Sequence, residues 1–186
     1  IPPEWRNTEI AYICPVANEV AVDVVRAFSN AIIGVTPQGW MRRWDDKHRV
    51  FPKRWEKPEK ILPYVDALIL SIDDIADFPD ELERYIELTK IVVLTKNKQG
   101  ATLYKDGKSI DFPAYKTIEN DPTGAGDVFS AAFLTKYYET LDASEATDFA
   151  NCVASFAVEE KGIKGIPSYE QVQKRLKKTL MKYLHS

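Results

Sequence analysis

Four short runs constrain this chain most: "AYIC" at residues 11–14, "AIIGV" at 31–35, "ALILS" at 67–71 and "IVVLT" at 91–95. Each is continuously apolar rather than alternating, as in strands covered on both faces, and such strands belong to parallel sheets. Helix signals stand between them. Residues 18–28 carry Asn18 as a candidate N-cap and Val20, Val24 and Phe28 at spacings of four, which predicts an amphipathic helix. Residues 77–88 open with acids and a proline, suited to a first helical turn. The pattern predicts an α/β fold, mostly a parallel sheet with helices on both faces. Residues 100–115 alternate around Asp106-Gly107, the strongest short signal for a β-hairpin. Three apolar stripes then predict helices: Val128, Ala132, Phe133, Tyr137 and Leu141; Phe149, Val153 and Ala157; Val172, Leu176, Leu180 and Leu184. Residues 38–60, with Trp40, Trp44 and Trp55 among many charges, read as an irregular excursion with one short strand at 49–51.

A chain of 186 residues is long enough for one domain with a sizeable core, and 45% apolar with 28% charged residues is ordinary for a globular protein. The net charge of −3 argues against general nucleic-acid affinity. No apolar run approaches the ~20 residues of a membrane helix. Cys14 and Cys152 are far apart, without metal-ligand spacing, and are expected as small buried residues in a reducing, cytoplasmic setting. The opening "IPPEWRNTEIAYICP" has no Met and reads as the start of a fragment or a processed product.

In open parallel sheets ligands bind beyond the carboxyl ends of the strands, here residues 14–18, 36–39, 71–74 and 95–100. The stretch "NDPTGAGDVFSAAF" at 120–133 places Gly124, Ala125 and Gly126 just before an apolar helical run. Two readings compete. The glycines could form a plain turn, with Asp127 complementing the helix dipole. Or they could leave the helix amides uncovered for a phosphate. Asp127 would then serve as general base for a hydroxyl attacking that phosphate.

These residues carry a resemblance. "NDPTGAGDVF" is similar to the second signature of the ribokinase-like, or PfkB, carbohydrate kinases, Asp-Thr-x-Gly-Ala-Gly-Asp-x-Phe, with Pro122 where Thr is common. "VVLTKNKQGATLY" resembles the family's Thr-x-Gly-x-x-Gly nucleotide loop, with Asn97 in place of its first glycine and Gly100 retained. "FANCVASFAVEEKG" resembles the segment bordering adenine, Asn151 standing at the family's Asn. Ser71 and Asp74 fall where the family has Asn-x-x-Glu. "CPVANEV" and "VTPQGWMRRW" resemble a branch that includes proteins similar to plant inositol kinases.

The resemblance implies ATP-dependent phosphorylation of a sugar or polyol hydroxyl, an inositol-like one being compatible. It implies Asp127 as base, with Gly124, Ala125 and Gly126 holding the transferring phosphoryl group. ATP would lie over Thr95, Lys96, Asn97, Gly100, Asn151 and Gly162. Asp74 would organise Mg2+, and Asp121 and Thr123 would sit at a monovalent-cation (K+) site. It further implies a small sugar or polyol as partner, neither nucleic acid nor membrane, and is compatible with a homodimer. Residues 1–186 then form a single α/β nucleotide-binding domain, the C-terminal part of a longer kinase lacking its glycine-rich first signature and β lid. The alternative is a non-catalytic nucleotide-binding or assembly module on the same fold.

Overall fold

The computed structural model describes residues 1–184. One sheet organises it, built from β1 (Ile10–Ile13), β2 (Ile32–Val35), β5 (Ala67–Ser71), β6 (Ile91–Thr95), β7 (Ala101–Lys105) and β8 (Lys108–Phe112) in the order β1-β2-β5-β6-β7-β8. The four apolar runs are β1, β2, β5 and β6, all parallel, while β7 and β8 continue the sheet antiparallel. The hairpin turns at Asp106 and Gly107, both with positive φ (52° and 71°), as the dipeptide predicts.

Both faces of the parallel strands are buried, and alternate residues serve different cores. Ala67, Ile69, Ile91 and Val93 pack with Phe129, Phe133 and Leu134 of α2 (Ala125–Thr140) and with Ala143, Ala146 and Ala150 of α3 (Ala143–Ala157). Alanines on α3 let α2 approach closely. Leu68, Leu70, Val92 and Leu94 face the other way, toward Trp40, Trp55, Leu62 and Tyr85. Trp40 and Trp55 stack at 5.1 Å between centroids, and Tyr85 of α1 (Glu81–Leu88) meets Trp55 edge-on at 5.7 Å. Two of the three tryptophans are therefore core packing; Trp44 is 38% exposed.

Several expectations are corrected. Residues 18–28 do not form an α-helix: Asn18 has φ 62° and caps nothing, and only a 3-10 turn forms, Val22–Ala27. The crowded valines disfavour the α form through lost χ1 freedom. The tighter turn eclipses i and i+3 positions and seats Val25 in the core with Val22 against it. The expected strand at 49–51 is β4 (Val50–Pro52), but it pairs antiparallel with a second strand, β3 (Arg42–Trp44), which the charged sequence conceals. Leu141 is not part of the α2 stripe. It ends the helix in the left-handed conformation, its N–H donating to Tyr137 O, and is 68% exposed. Cys14 is exposed, while Cys152 is buried, and burial pushes its thiol pKa up to about 12. The third stripe lies on α4 (Tyr169–Leu184), with Val172 buried and Leu176 packed beside it; the Leu180 and Leu184 side chains are outside the described residues.

Asp142 caps α3, its carboxylate accepting from Ser144 N (2.8 Å) and Glu145 N (3.1 Å). Asp142→Ala is expected to cost about 1 kcal/mol. For a chain of this size that lowers the melting temperature by about 2–4 °C, readable by calorimetry. An unchanged melting curve would mean the cap contributes nothing.

Candidate active site

The carboxyl ends of β5 and β6 and the N-terminus of α2 border one cleft of about 480 Å3. Ser71 and Thr95 form its floor, Asn97, Lys98 and Gly100 one side, and Ala125, Gly126 and Phe129 another. Asn151, Ala154 and Ser155 of α3 close it, together with the connection from β8 to α2 through Tyr115, Thr117 and Glu119. The expected residues Thr95, Asn97, Gly100, Ala125, Gly126 and Asn151 therefore meet in one place.

The mouth of α2 is built by Gly124, which takes φ 80° as the N-cap. No side chain caps the helix, so Thr123 does not serve as its cap. Its hydroxyl and N–H instead donate to Asp121, whose Oδ1 lies 3.0 Å from Thr123 N, and these bonds hold the Asp121 carboxyl below its ordinary pKa. A Cβ placed on Gly124 or Gly126 would meet nothing within 4 Å, so the backbone there is uncovered. Ala125 N–H is consumed by Pro122 O (3.1 Å), and Val128 N–H closes on Gly124 O (3.0 Å). Within the first turn the donors without a helical partner are thus Gly126 and Asp127, at the positive end of a 16-residue helix.

Asp127 stands beside the cleft, toward the ends of β1 and β2. Tyr12 OH lies 3.5 Å from Asp127 Oδ1 and 3.2 Å from Thr36 Oγ1. Burial raises the Tyr12 pKa, and burial together with the Asp127 charge raises that of Cys14. Neither Tyr12 nor Thr36 carries a sequence signal, because Tyr12 meets Asp127, and Thr36 meets Tyr12, across segments far apart in the chain.

Other expected residues lie outside the cleft lining. Lys96 Nζ pairs with Asp111 on β8 (2.7 Å). Asp74 accepts from Ser71 N (2.9 Å) and Gln38 Nε2 (3.5 Å). Gly162, with φ 61°, opens a short 3-10 turn in open space. Val158 O accepts the N–H groups of Asn120 (2.8 Å) and Asp121 (3.1 Å). Among the described residues no three His, Cys, Asp or Glu side chains are grouped to hold a metal. The residues that sequence reasoning missed are mostly in the 113–119 connection, which has no apolar period and no glycine.

A family model described as pfkB family carbohydrate kinase matches residues 41–168. The chain belongs to the pfkB family. Among curated relatives, the nucleoside kinase of Methanocaldococcus jannaschii is 35% identical over 100 residues, covering 53% of this chain and 33% of that protein. The ribokinase of Bacillus subtilis is 36% identical over 84 residues, covering 45% and 29%. The crystal structure of the Methanocaldococcus jannaschii nucleoside kinase superposes with a TM-score of 0.75 at 26% identity, over 92% of this pfkB chain and 57% of that one. The chain thus spans about a third of the length of these curated relatives and just over half of the solved one.

Proposed function

We propose that this pfkB chain is the nucleotide-binding part of an ATP-dependent kinase that phosphorylates a hydroxyl of a sugar, polyol or nucleoside. One observation carries the reading: the uncovered amides at the mouth of α2 open onto a nucleotide-sized cleft, with a carboxylate as the next side chain. The family membership and the kinase names of the relatives support it. The cleft residues fit a nucleotide: an apolar wall of Phe129 and Ala154 suits a base, and the Gly126 end suits phosphates.

In this mechanism the Gly126 and Asp127 amides hold the charge spread over the transferring phosphoryl oxygens, a stabilisation of a few kcal/mol. Asp127 accepts the proton of the attacking hydroxyl, and the Tyr12 hydroxyl, itself paired with Thr36, holds that carboxylate in place. Mg2+, when bound, neutralises phosphate charge; without a grouped ligand set it would be held through phosphate and water, with Asp74 beyond the first layer. The inositol-like acceptor is supported by residues 14–20 and 35–44 and by 33% identity over 72 residues to the inositol 3-kinases of Zea mays and Oryza sativa.

The test is ATP consumption across a panel of nucleosides, ribose and other sugars, and inositols. Turnover with one class of alcohol is the expected result. ATP binding with no phosphate transfer to any of them, in a protein that also carries the remaining length of its relatives, would favour the non-catalytic module.

A further inference from the structure

The path into the mouth of α2 has no hydrogen-bond ladder of its own: residues 113–122 belong to no helix or strand. They are held from the side, by the end of α3. Val158 follows that helix as its cap, where carbonyls lack intrahelical partners. Val158 O accepts from Asn120 N (2.8 Å) and Asp121 N (3.1 Å). Glu159 O accepts from Asn120 Nδ2 (2.7 Å), and the Glu159 carboxylate accepts from Thr117 Oγ1. The order passes onward along the chain. Asp121 Oδ1 accepts from Thr123 N (3.0 Å), and Pro122 O accepts from Ala125 N (3.1 Å). The next two amides are those of Gly126 and Asp127, the donors without a helical partner.

One side chain of α4 fixes the end of α3. Arg175 Nη2 donates to both Glu159 oxygens (2.9 and 3.1 Å), and Nη1 donates to Ser155 Oγ (2.8 Å). The guanidinium lies 3.3 Å from the Phe156 ring centroid. A planar fork can serve Ser155 and Glu159 at once, which a lysine cannot. The Arg175 and Glu159 side chains are only 23% and 32% exposed, so salt screens this pair less than one at the open surface.

We infer that Arg175, acting through Glu159, is a positioning residue for the phosphate end of the cleft. It anchors residues 117–121 to α3 and so keeps the Gly126 and Asp127 amides converged on one anion. No side chain caps α2, so the arrangement of its mouth depends on this outside support. A mouth formed about a tenth of the time would bind its anion about tenfold more weakly. The inference rests on the cleft being a nucleotide site.

Two measurements on this chain test it. Amide hydrogen exchange reads the segment directly. Arg175→Met should speed exchange at Asn120, Asp121 and Ala125 about tenfold or more, while Phe133 inside α2 keeps its native rate. Calorimetry with ATP and adenosine reads the consequence. Adenosine has no phosphate to place at Gly126, so the ATP-to-adenosine affinity ratio should fall about tenfold in Arg175→Met. Arg175→Lys keeps a donor for Glu159 and should recover part of both effects. Lys136→Met is the control. It removes a comparable cation from α2, paired with Glu139 (2.9 Å) and Glu145 (3.7 Å) and 5.1 Å from the Phe149 ring, and should leave both readouts native. If Arg175→Met does not fold, Glu159→Gln carries the same test, its neutral amide weakening the pair and lowering the ratio severalfold. Unchanged exchange at residues 120–125, an unmoved ratio, or an equal response in Lys136→Met overturns the inference and leaves the nucleotide site intact. If neither ATP nor adenosine binds the native chain, the nucleotide reading falls and the inference with it.

Discussion

Asp127→Asn is expected to lower the phosphoryl-transfer rate by about a hundredfold to ten-thousandfold, the range for removing a positioned general base. It should leave nucleotide affinity at least as high as in the native chain. The two halves of that outcome come from one cause. Asp127 is the third residue of α2, next to Gly126, which lines the cleft. Its negative charge opposes a phosphate held there, so a neutral amide of the same shape removes repulsion. The same amide has no lone pair basic enough to take a proton from an alcohol. The fold should survive, since losing an acid from a first helical turn costs about 0.3–1 kcal/mol. Single-turnover transfer and ATP titration on the same preparation separate the effects. Native turnover with Asn at 127 would remove the base from the mechanism. Parallel loss of binding and transfer would instead make Asp127 a structural residue whose partner is Tyr12.

The sheet was legible because its parallel strands are covered on both faces, a demand that leaves unbroken apolar runs at β1, β2, β5 and β6. The hairpin was legible because Asp106-Gly107 tolerates the positive φ that a tight turn imposes. Residues 18–28 depart from the helical reading because side-chain branching outweighs spacing there. Val20, Val24 and Phe28 satisfy a helical period on paper, yet the chain packs them against the core through a 3-10 turn and an extended lead-in, with Val25 the buried residue. Cys14 was expected inside by residue type, but it follows the last residue of β1, where the chain leaves the layers. At the site, the glycine stretch announced itself. The carboxylate's partner did not, since the contact joins segments distant in sequence, Tyr12 with Asp127.

Gly100→Ala should be the most damaging single methyl group near the cleft. Gly100 has φ 96°, where an L side chain is strained by about 1–3 kcal/mol before any contact is counted. The contacts are worse. A Cβ there would sit 2.0 Å from Phe112 O, 2.6 Å from Ala114 N and 2.8 Å from Pro113 C, all of them backbone, so no rotamer change relieves the overlap. Gly100 closes the turn from β6 into β7, its O accepting from Lys96 N (2.7 Å) and its N–H donating to Asn97 O (3.1 Å), while Ala101 registers against Phe112. Relief must therefore come from moving β8 or the connection after it, and each is tied to Asn151 by the bonds that orient the cleft wall. Overpacking of this kind adds roughly 1–3 kcal/mol. The sum, about 3 kcal/mol or more, corresponds to a fall of about 6–12 °C in melting temperature for a chain of this length. Gly107→Ala is the control: φ is 71° but nothing lies within 4 Å of the added atom, so only the backbone term of about 1–2 kcal/mol applies. If the two variants melt together, the crowding at residues 112–114 is not what glycine serves at 100. If Gly100→Ala melts far lower and also loses nucleotide affinity, the glycine of this loop earns its place by letting two backbones meet, and the cleft depends on that meeting.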